Sequence, residues 1–324
     1  MGCCDDLIRE INLYIQKADN KLSDELSKKG YKNIDKTMGL INDIEDKIVS
    51  QLKDNAEDIL DELKDVGSLE DFFKTAWPAI RKKCQTDKVL ATYISTKYSQ
   101  FIPETAQLYM EAVDAELKVS VLTAPTTRWI KSWSAELGAK MKIKQMDELE
   151  KILIDGIDGG KSISEVARDI QAAGIREDYA YARSTALTET LTAHSKAQLE
   201  AYIQCPAVDR KKWGHSGGKS ITPRENHIDM DGQVVDVDKP FDLMGADGES
   251  YQPMIPRDSS LPPGERINCH CFVSPVVNDE VLGYSLEERE KLQQEAIDEI
   301  NESDFIERLE EENRKKAGIE MPDE

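Results

Sequence analysis

Apolar side chains recur at every third or fourth position along much of the N-terminal half, and this spacing restricts the fold more than any other feature. Ile34, Ile41, Ile48 and Leu52 belong to one such stripe, which continues to Val66. A period of 3.6 residues places these side chains on one face of a helix. Because the stripe is longer than most globular helices, it favours a helical hairpin of coiled-coil character.

Further helices are predicted on both sides of this stripe. An earlier apolar stripe, Ile8 to Leu26, predicts a first helix that ends at Gly30, since glycine is the usual residue after a helix C-terminus. The helices that follow Ser68 are expected to carry Pro78 and Pro103 in their first turns, where a missing N–H is tolerated.

Local signals divide the middle of the chain. Residues 124–127 (APTT) predict a joint between helices, and residues 155–160 (DGIDGG) predict a turn. Ser162 and Glu165 fit a capping box, and Gly174 is expected to close the helix that it begins. Residues 176–204 then predict one long helix, stopped by Pro206.

After Pro206, glycine and proline become frequent and short β-like stretches appear at 211–215, 233–237 and 271–277. The sequence therefore predicts a mainly α protein with a small α+β module: N-terminal helical hairpins or a bundle, a long helix with short antiparallel strands, and an acidic helical tail. The predicted segments are a helical hairpin region at 1–125, a helical connector at 126–175, the module at 176–278 and the tail at 279–324.

The charge of the chain is strongly acidic, with 42 Lys and Arg against 63 Asp and Glu and a formal net charge of −21. This balance disfavours non-specific DNA binding, because neutralising phosphates requires clustered Lys and Arg. About half of the excess lies after residue 278, which predicts an exposed acidic helix with a solvated or disordered end. No apolar run has the length of a membrane helix, and no signal sequence is recognisable, so we expect a cytosolic chain with reduced thiols.

Residues with metal-binding or nucleophilic chemistry are concentrated between 194 and 271. This interval holds His194, His215, His227 and His270, together with Cys205, Cys269 and Cys271. Two cysteines at C-x-C spacing can bind one metal ion only if the backbone bends between them. A tetrahedral zinc site then needs two more ligands, for which His227 and His215 are the best candidates. Two alternatives to a metal site remain open: the Cys and His side chains only pack and form turns, or one cysteine and one histidine form a nucleophilic pair.

Two polar clusters precede the cysteines. Arg183, Thr190 and His194 share a face of the long helix that also carries Glu189, and a structural ion pair of Glu189 is the simplest reading. Asp231-Gly232 is a turn signal, because glycine tolerates a positive φ.

Four stretches in this order resemble the phage head morphogenesis family, the Mu F-like minor head proteins of tailed bacteriophages. They are TETLTAHSKAQLEAY (188–202), KKWGHSGG (211–218), PRENHIDMDGQVV (223–235) and QPMIPRDSSLPPGERINCHC (252–271). The resemblance implies a minor capsid protein of the virion, present in few copies and associated with the portal vertex inside the head. It implies a part in head assembly, with effects on DNA packaging or ejection in some members, and no established enzymatic activity.

The resemblance also assigns motif residues. Glu189 matches the family's helix glutamate. His227, Asp231 and Gly232 match its H/C-x-x-x-D-G motif. Asn268, Cys269 and Cys271 match its N-C-x-C motif. Many members have arginine where this chain has Leu187, and a C-x-x-C where it has Arg224 and His227. A four-ligand zinc site therefore requires His215 or His270.

The leading hypothesis is a non-enzymatic structural and assembly protein of the virion head, present in the host cytoplasm during assembly. Its helical hairpins would contact the portal protein or other head and scaffold proteins. The rival is a metal-dependent hydrolase or toxin-like transferase that acts through Glu189, His227 and Cys269/Cys271. A DNA-binding protein is a third class, which the charge does not indicate, and no membrane partner is expected.

Overall fold

A computed structural model describes the backbone of residues 3–215 and 223–319 and the side chains of 16–171, 181–215 and 223–319. The chain is 68% helical with few strands, which confirms the mainly α fold with a small α+β module. The helices are α1 (Cys3–Lys28), α2 (Ile34–Leu63), α3 (Leu69–Thr75), α4 (Trp77–Lys83), α5 (Thr86–Val113), α6 (Ala124–Asp158), α7 (Ile163–Gln204), α8 (Glu225–Asp229), α9 (Pro263–Arg266), α10 (Asp279–Leu282), α11 (Leu286–Glu302) and α12 (Phe305–Lys316).

The strands form two small antiparallel sheets. They are β1 (Val208–Gly214), β2 (Val234–Asp236), β3 (Leu243–Met244), β4 (Ser250–Tyr251) and β5 (Phe272–Val277). In the larger sheet β1 lies between β2 and β5, and β3 pairs with β4 in the other. Trp213 of β1 is opposite Val273 of β5, and both side chains are buried. The three β stretches predicted from the sequence are therefore confirmed.

The long apolar stripe is the buried face of α2, where Ile41, Ile44 and Ile48 are fully inaccessible to solvent. Gly30, with φ +78°, ends α1 as predicted, and the amide of Tyr31 donates to the carbonyl of Leu26. The expected burial of Ile8, Ile11 and Ile15 falls on side chains outside the described residues.

Four expected helix boundaries differ from the structure, because helices occupy these positions wholly or in part. Pro103 lies inside α5, α6 starts at Ala124 and includes part of the expected turn, and α7 runs through Gly174. Gly156 shows why α6 continues: a Cβ there would lie 2.4 Å from Val166 Cγ2. Glycine at this position thus permits close packing of two helices and does not end one. The helix stops at Gly160, which has φ +61°.

One face of each long helix in the acidic tail is packed, and the opposite face is exposed. Ile297 and Ile300 of α11 and Ile306 of α12 are buried, and the buried Arg289 guanidinium forms ion pairs with Asp114 and Glu116. The predicted acidic helices are therefore present, but the expectation that they are fully exposed is wrong for their apolar faces. Residues 320–324 lie outside the described part.

Contacts group the chain into two compact units. Among the described residues, the first unit comprises 3–40, 101–123, 190–215 and 223–319, and the second comprises 41–100 and 124–189. Leu199, Met254 and Ile300 are core residues of the first unit, and Phe72 and Leu153 are core residues of the second. Each unit combines separate stretches of sequence, and the predicted segment boundaries at 125, 175 and 278 remain a prediction.

Substitution of Gly138 by alanine is expected to destabilise the second unit by about 1–3 kcal/mol. A Cβ at Gly138 would lie 2.3 Å from the carbonyl oxygen of Asp87, so α5 and α6 would have to separate. Gly39 in α2 is a matched control, because a Cβ there meets nothing within 4 Å and alanine favours the helix. Urea unfolding should show a lower free energy of unfolding for Gly138→Ala than for wild type, and no decrease for Gly39→Ala. Equal stabilities would contradict the close approach.

Candidate metal centre

Three of the predicted ligands converge inside the first unit. The ligand atoms of His227, Cys269 and Cys271 all lie within 4.8 Å of one another, and all three residues are buried. His227 Nδ1 lies 3.5 Å from Cys269 Sγ and 3.6 Å from Cys271 Sγ. Two thiols and an imidazole nitrogen thus point toward a common position.

His215 is the nearest further donor. Its Nδ1 lies 3.7 Å from Cys271 Sγ, although His215 is not part of the group of three. The Asp-Gly turn holds this segment, because Asp231 Oδ1 accepts the backbone amide of His215 at 2.7 Å. Gly232 has φ +84°, and its amide donates to the carbonyl of Trp213. These two motif residues therefore position the backbone that carries His215.

A backbone bend brings both cysteines to the same side. Asn268 adopts a left-handed conformation with φ +55°, which asparagine tolerates better than most residues, and it lies between α9 and β5. The amide of Cys269 then donates to the carbonyl of Arg266 at 3.2 Å. The asparagine of the N-C-x-C motif therefore turns the chain just before the first cysteine, where the segment leaves α9.

Glu265 binds the outer nitrogen of His227, a contact that the sequence analysis missed. Glu265 Oε2 lies 2.8 Å from His227 Nε2, and both side chains are 3% exposed. Asn226 Nδ2 and the amide of Ala246 also donate to this carboxylate. A carboxylate behind a histidine fixes its ring and directs its other nitrogen at a metal ion. The only signal in the sequence was a glutamate four residues before Cys269.

Arg257 holds the cysteine segment from behind, and it too was missed. Its side chain is fully buried, and Nη1 donates to the carbonyls of Cys269 and Cys271 at 2.8 and 2.7 Å. Nη2 donates to Ser195 Oγ of α7 at 2.5 Å. The hydroxyl of Tyr31 adds a third hydrogen bond to the segment, donated to the carbonyl of Cys271 at 3.1 Å.

The buried groups polarise one another. A hydrogen bond from the Cys271 thiol and another from His227 hold the pKa of Cys269 well below its usual value, whereas the same thiol contact and burial raise the pKa of Cys271. Burial opposes a charged His227, but its hydrogen bonds with Cys269 and Glu265 raise its pKa to about 9. Burial likewise opposes a charged Glu265, but the hydrogen bonds from His227, Ala246 and Asn226 lower its pKa to about 2. The thiolate form of Cys269 is therefore favoured even without a bound metal ion.

The donor set and its spacing fit zinc. Two thiolates with two imidazoles form one of the standard tetrahedral zinc sites, with Zn–S of about 2.3 Å and Zn–N of about 2.0–2.1 Å. At a tetrahedral angle those bond lengths place sulfur and nitrogen about 3.6 Å apart. The observed separations are 3.5, 3.6 and 3.7 Å. The first unit thus contains a small module in which two cysteines and a histidine converge at the separations that a zinc site would have.

The other predicted residues have separate positions. Glu189 lies in the second unit, where its carboxylate accepts Trp133 Nε1 at 2.7 Å. Arg224 donates to the carbonyl of Ile267 at 2.7 Å and so joins two loops of the module. Within the described residues, His194, Cys205 and His270 do not belong to the metal-ligating group.

Comparison with known proteins agrees with this description. Residues 147–274 match the model of the family described as phage Mu protein F like protein. An uncharacterized protein, YqbB, of Bacillus subtilis strain 168 is 36% identical over 308 residues, covering 92% of this chain and 99% of YqbB. The chain therefore belongs to the Mu F-like family. No solved structure matches it.

Family membership indicates a role in phage head morphogenesis, contact with other phage head proteins and association with the virion or capsid. The family is typically structural and not enzymatic. Among the described helices, none is both long enough and apolar enough to span a membrane.

Substitution of Glu265 by glutamine is expected to weaken zinc binding about 10- to 100-fold, because the amide orients the His227 ring less firmly than a carboxylate. Competition with a chromophoric chelator would measure the dissociation constant. Glu249→Gln is a suitable control, since Glu249 is an exposed glutamate of the same module. Equal zinc affinities in all three proteins would contradict the orienting role of Glu265.

Proposed function

We propose that this protein is a minor head protein of a tailed phage or prophage that contacts the portal protein and acts in head morphogenesis, with a part in DNA packaging or ejection. The observation that carries this proposal is membership of the Mu F-like family, together with the match to a relative of nearly the same length. The protein would reside inside the head at the portal vertex and, during assembly, in the host cytoplasm.

Deletion of the gene from the phage or prophage that encodes it tests this role. We expect mass spectrometry of purified wild-type particles to detect the protein at a small number of copies per portal. The deletion should lower the yield of filled heads or the infectivity of particles. Full-length tagged protein should co-purify the portal protein of the same phage. If mass spectrometry does not detect this protein in wild-type particles, the proposal is contradicted.

We also propose that His215, His227, Cys269 and Cys271 hold a structural zinc ion. When bound, zinc would supply a cross-link between the β1–α8 region and the start of β5. Its binding free energy would then stabilise a module that has only short strands. Glu265 would orient His227, and Arg257 and Tyr31 would hold the backbone of the cysteines.

Elemental analysis of the purified full-length protein tests the zinc site. We expect about one zinc per chain, and less than about 0.2 in His227→Ala, because three ligands hold zinc much more weakly than four. His270→Ala is the matched control and should keep its zinc. A wild-type content below about 0.2, unchanged in His227→Ala, would contradict the site.

The geometry favours a structural over a catalytic metal. Four protein ligands would leave no coordination position for water or substrate, whereas catalytic zinc sites keep one open. The glutamate that the enzyme hypothesis requires, Glu189, accepts a hydrogen bond from Trp133 in the other unit. We therefore propose an assembly role without catalysis.

A further inference from the structure

The second unit has an open groove beside the C-terminal half of α2 that no part of the proposed zinc site uses. It has a volume of about 520 Å³ and lies between α2, α4 and α6. Its floor is apolar: Ile59 and Met146 are buried, and the half-buried Ile80 extends the same surface. Such a surface is stabilised when another apolar group covers it.

The wall formed by α2 is acidic. Asp58, Asp61 and Glu62 of α2 line the groove together with Asp65, which follows the helix, and all four are exposed. Asp61 and Glu62 are three and four residues after Asp58, so the three lie on the same side of the helix. Asp61 forms an ion pair with Lys64, while the ion pairs of the described residues include none for the other three. Lys83 is the only cation among the lining residues. The groove therefore combines an apolar floor with a net negative wall.

We propose that this groove binds a basic amphipathic helix of a partner protein. The lining residues of α2 extend from Asn55 to Glu62, which corresponds to about 10 Å of helix and thus to about two turns of a partner helix. Apolar side chains at i, i+3 or i+4 and i+7 would cover the floor, and flanking Lys or Arg would face the acidic wall. A second copy of this chain is disfavoured as the occupant, because two chains of charge −21 repel each other.

The inference rests on the proposed function only in assuming a protein partner. Loss of the protein from phage particles would contradict the head role without affecting the groove, whereas the peptide experiment below tests the groove alone. The two proposals can therefore fail separately.

The probe is a fluorescein-labelled synthetic 14-residue helix with leucine at helical spacing and lysine on both sides of the leucine stripe. Fluorescence anisotropy would measure its binding to full-length protein. Asp58→Lys/Glu62→Lys should bind it at least about 10-fold more weakly. The matched control is Glu295→Lys/Glu299→Lys, which makes the same charge change at the same spacing on an exposed face of α11 and should change affinity less than about 3-fold.

Two further measurements locate the contact. A peptide with serine in place of leucine should bind much more weakly, because it lacks the apolar face, and benzophenone cross-links from the leucine peptide should map to α2 and α4. Equal weakening in the two double variants, or cross-links on other helices, would overturn the proposal. A dimer in sedimentation that Asp58→Lys/Glu62→Lys abolishes would also overturn it, by assigning the groove to a second copy. Unchanged circular dichroism and melting would show that the variants fold.

Discussion

Replacement of Arg257 by leucine is expected to lower the free energy of unfolding by about 3–5 kcal/mol. The guanidinium donates to the buried carbonyls of Cys269 and Cys271 and to Ser195 Oγ, and its loss leaves all three acceptors without that donor. Each buried acceptor left unsatisfied costs about 1–3 kcal/mol. The variant no longer pays the cost of burying a charged guanidinium. The expected loss in the free energy of unfolding is therefore smaller than the sum over the three acceptors.

Urea unfolding of zinc-loaded protein would measure this loss. Arg210→Leu is the control: Arg210 is on β1, its side chain is 51% exposed, and it forms an ion pair with the carboxylate of Asp209, which is also exposed. We expect that control to stay within about 0.5 kcal/mol of wild type. An Arg257→Leu protein within about 1 kcal/mol of wild type would show that the cysteine segment does not depend on this side chain.

Acidification is expected to remove about 3 kcal/mol of stability through His194. This residue is fully buried between the rings of Tyr31, Phe101 and Tyr109, and Nε2 lies 2.9 Å from the carbonyl of Lys32. Burial lowers the pKa of His194 from 6.5 to about 4. Between these two values the unfolded chain binds a proton that the folded chain excludes. The stabilisation is therefore complete above about pH 6.5 and is lost as the pH falls toward 4.

Comparison of wild type with His194→Gln at several pH values between 7 and 4 isolates this effect. The variant should be less stable at pH 7, since glutamine fills the aromatic pocket poorly, but its stability should decline less steeply toward pH 4. Titration of the groups that the two proteins share cancels in the difference. Parallel pH profiles would show that His194 titrates normally in the folded protein.

The sequence was sufficient to predict the long N-terminal helices and the three strands of the larger sheet. Burial of Ile41, Ile44 and Ile48 follows directly from a 3.6-residue period, and the termination of α1 follows from Gly30. Helix ends were harder to predict, because a glycine can either end a helix or permit a close contact. Gly156 does the second, and only the position of Val166, ten residues later, distinguishes the two.

The candidate site was predictable in its ligands and not in its supporting residues. Rare residue types with metal-binding chemistry pointed to His227, Cys269 and Cys271, which the structure brings together. Glu265 and Arg257 escaped prediction because both are common surface residue types. Their roles depend on burial and on partners in other elements, which no local pattern reveals.

The hydrogen bond from Tyr31 to Cys271 joins residues that are 240 positions apart, and it has a consequence for biosynthesis. The first unit contains residues 3–40 together with residues 190–215 and 223–319, so its core cannot close until nearly the whole chain has left the ribosome. The described part of the second unit ends at residue 189 and is complete much earlier. We therefore expect the second unit to fold during translation. Residues 3–40, which include α1, must wait for the part of the chain that follows residue 189.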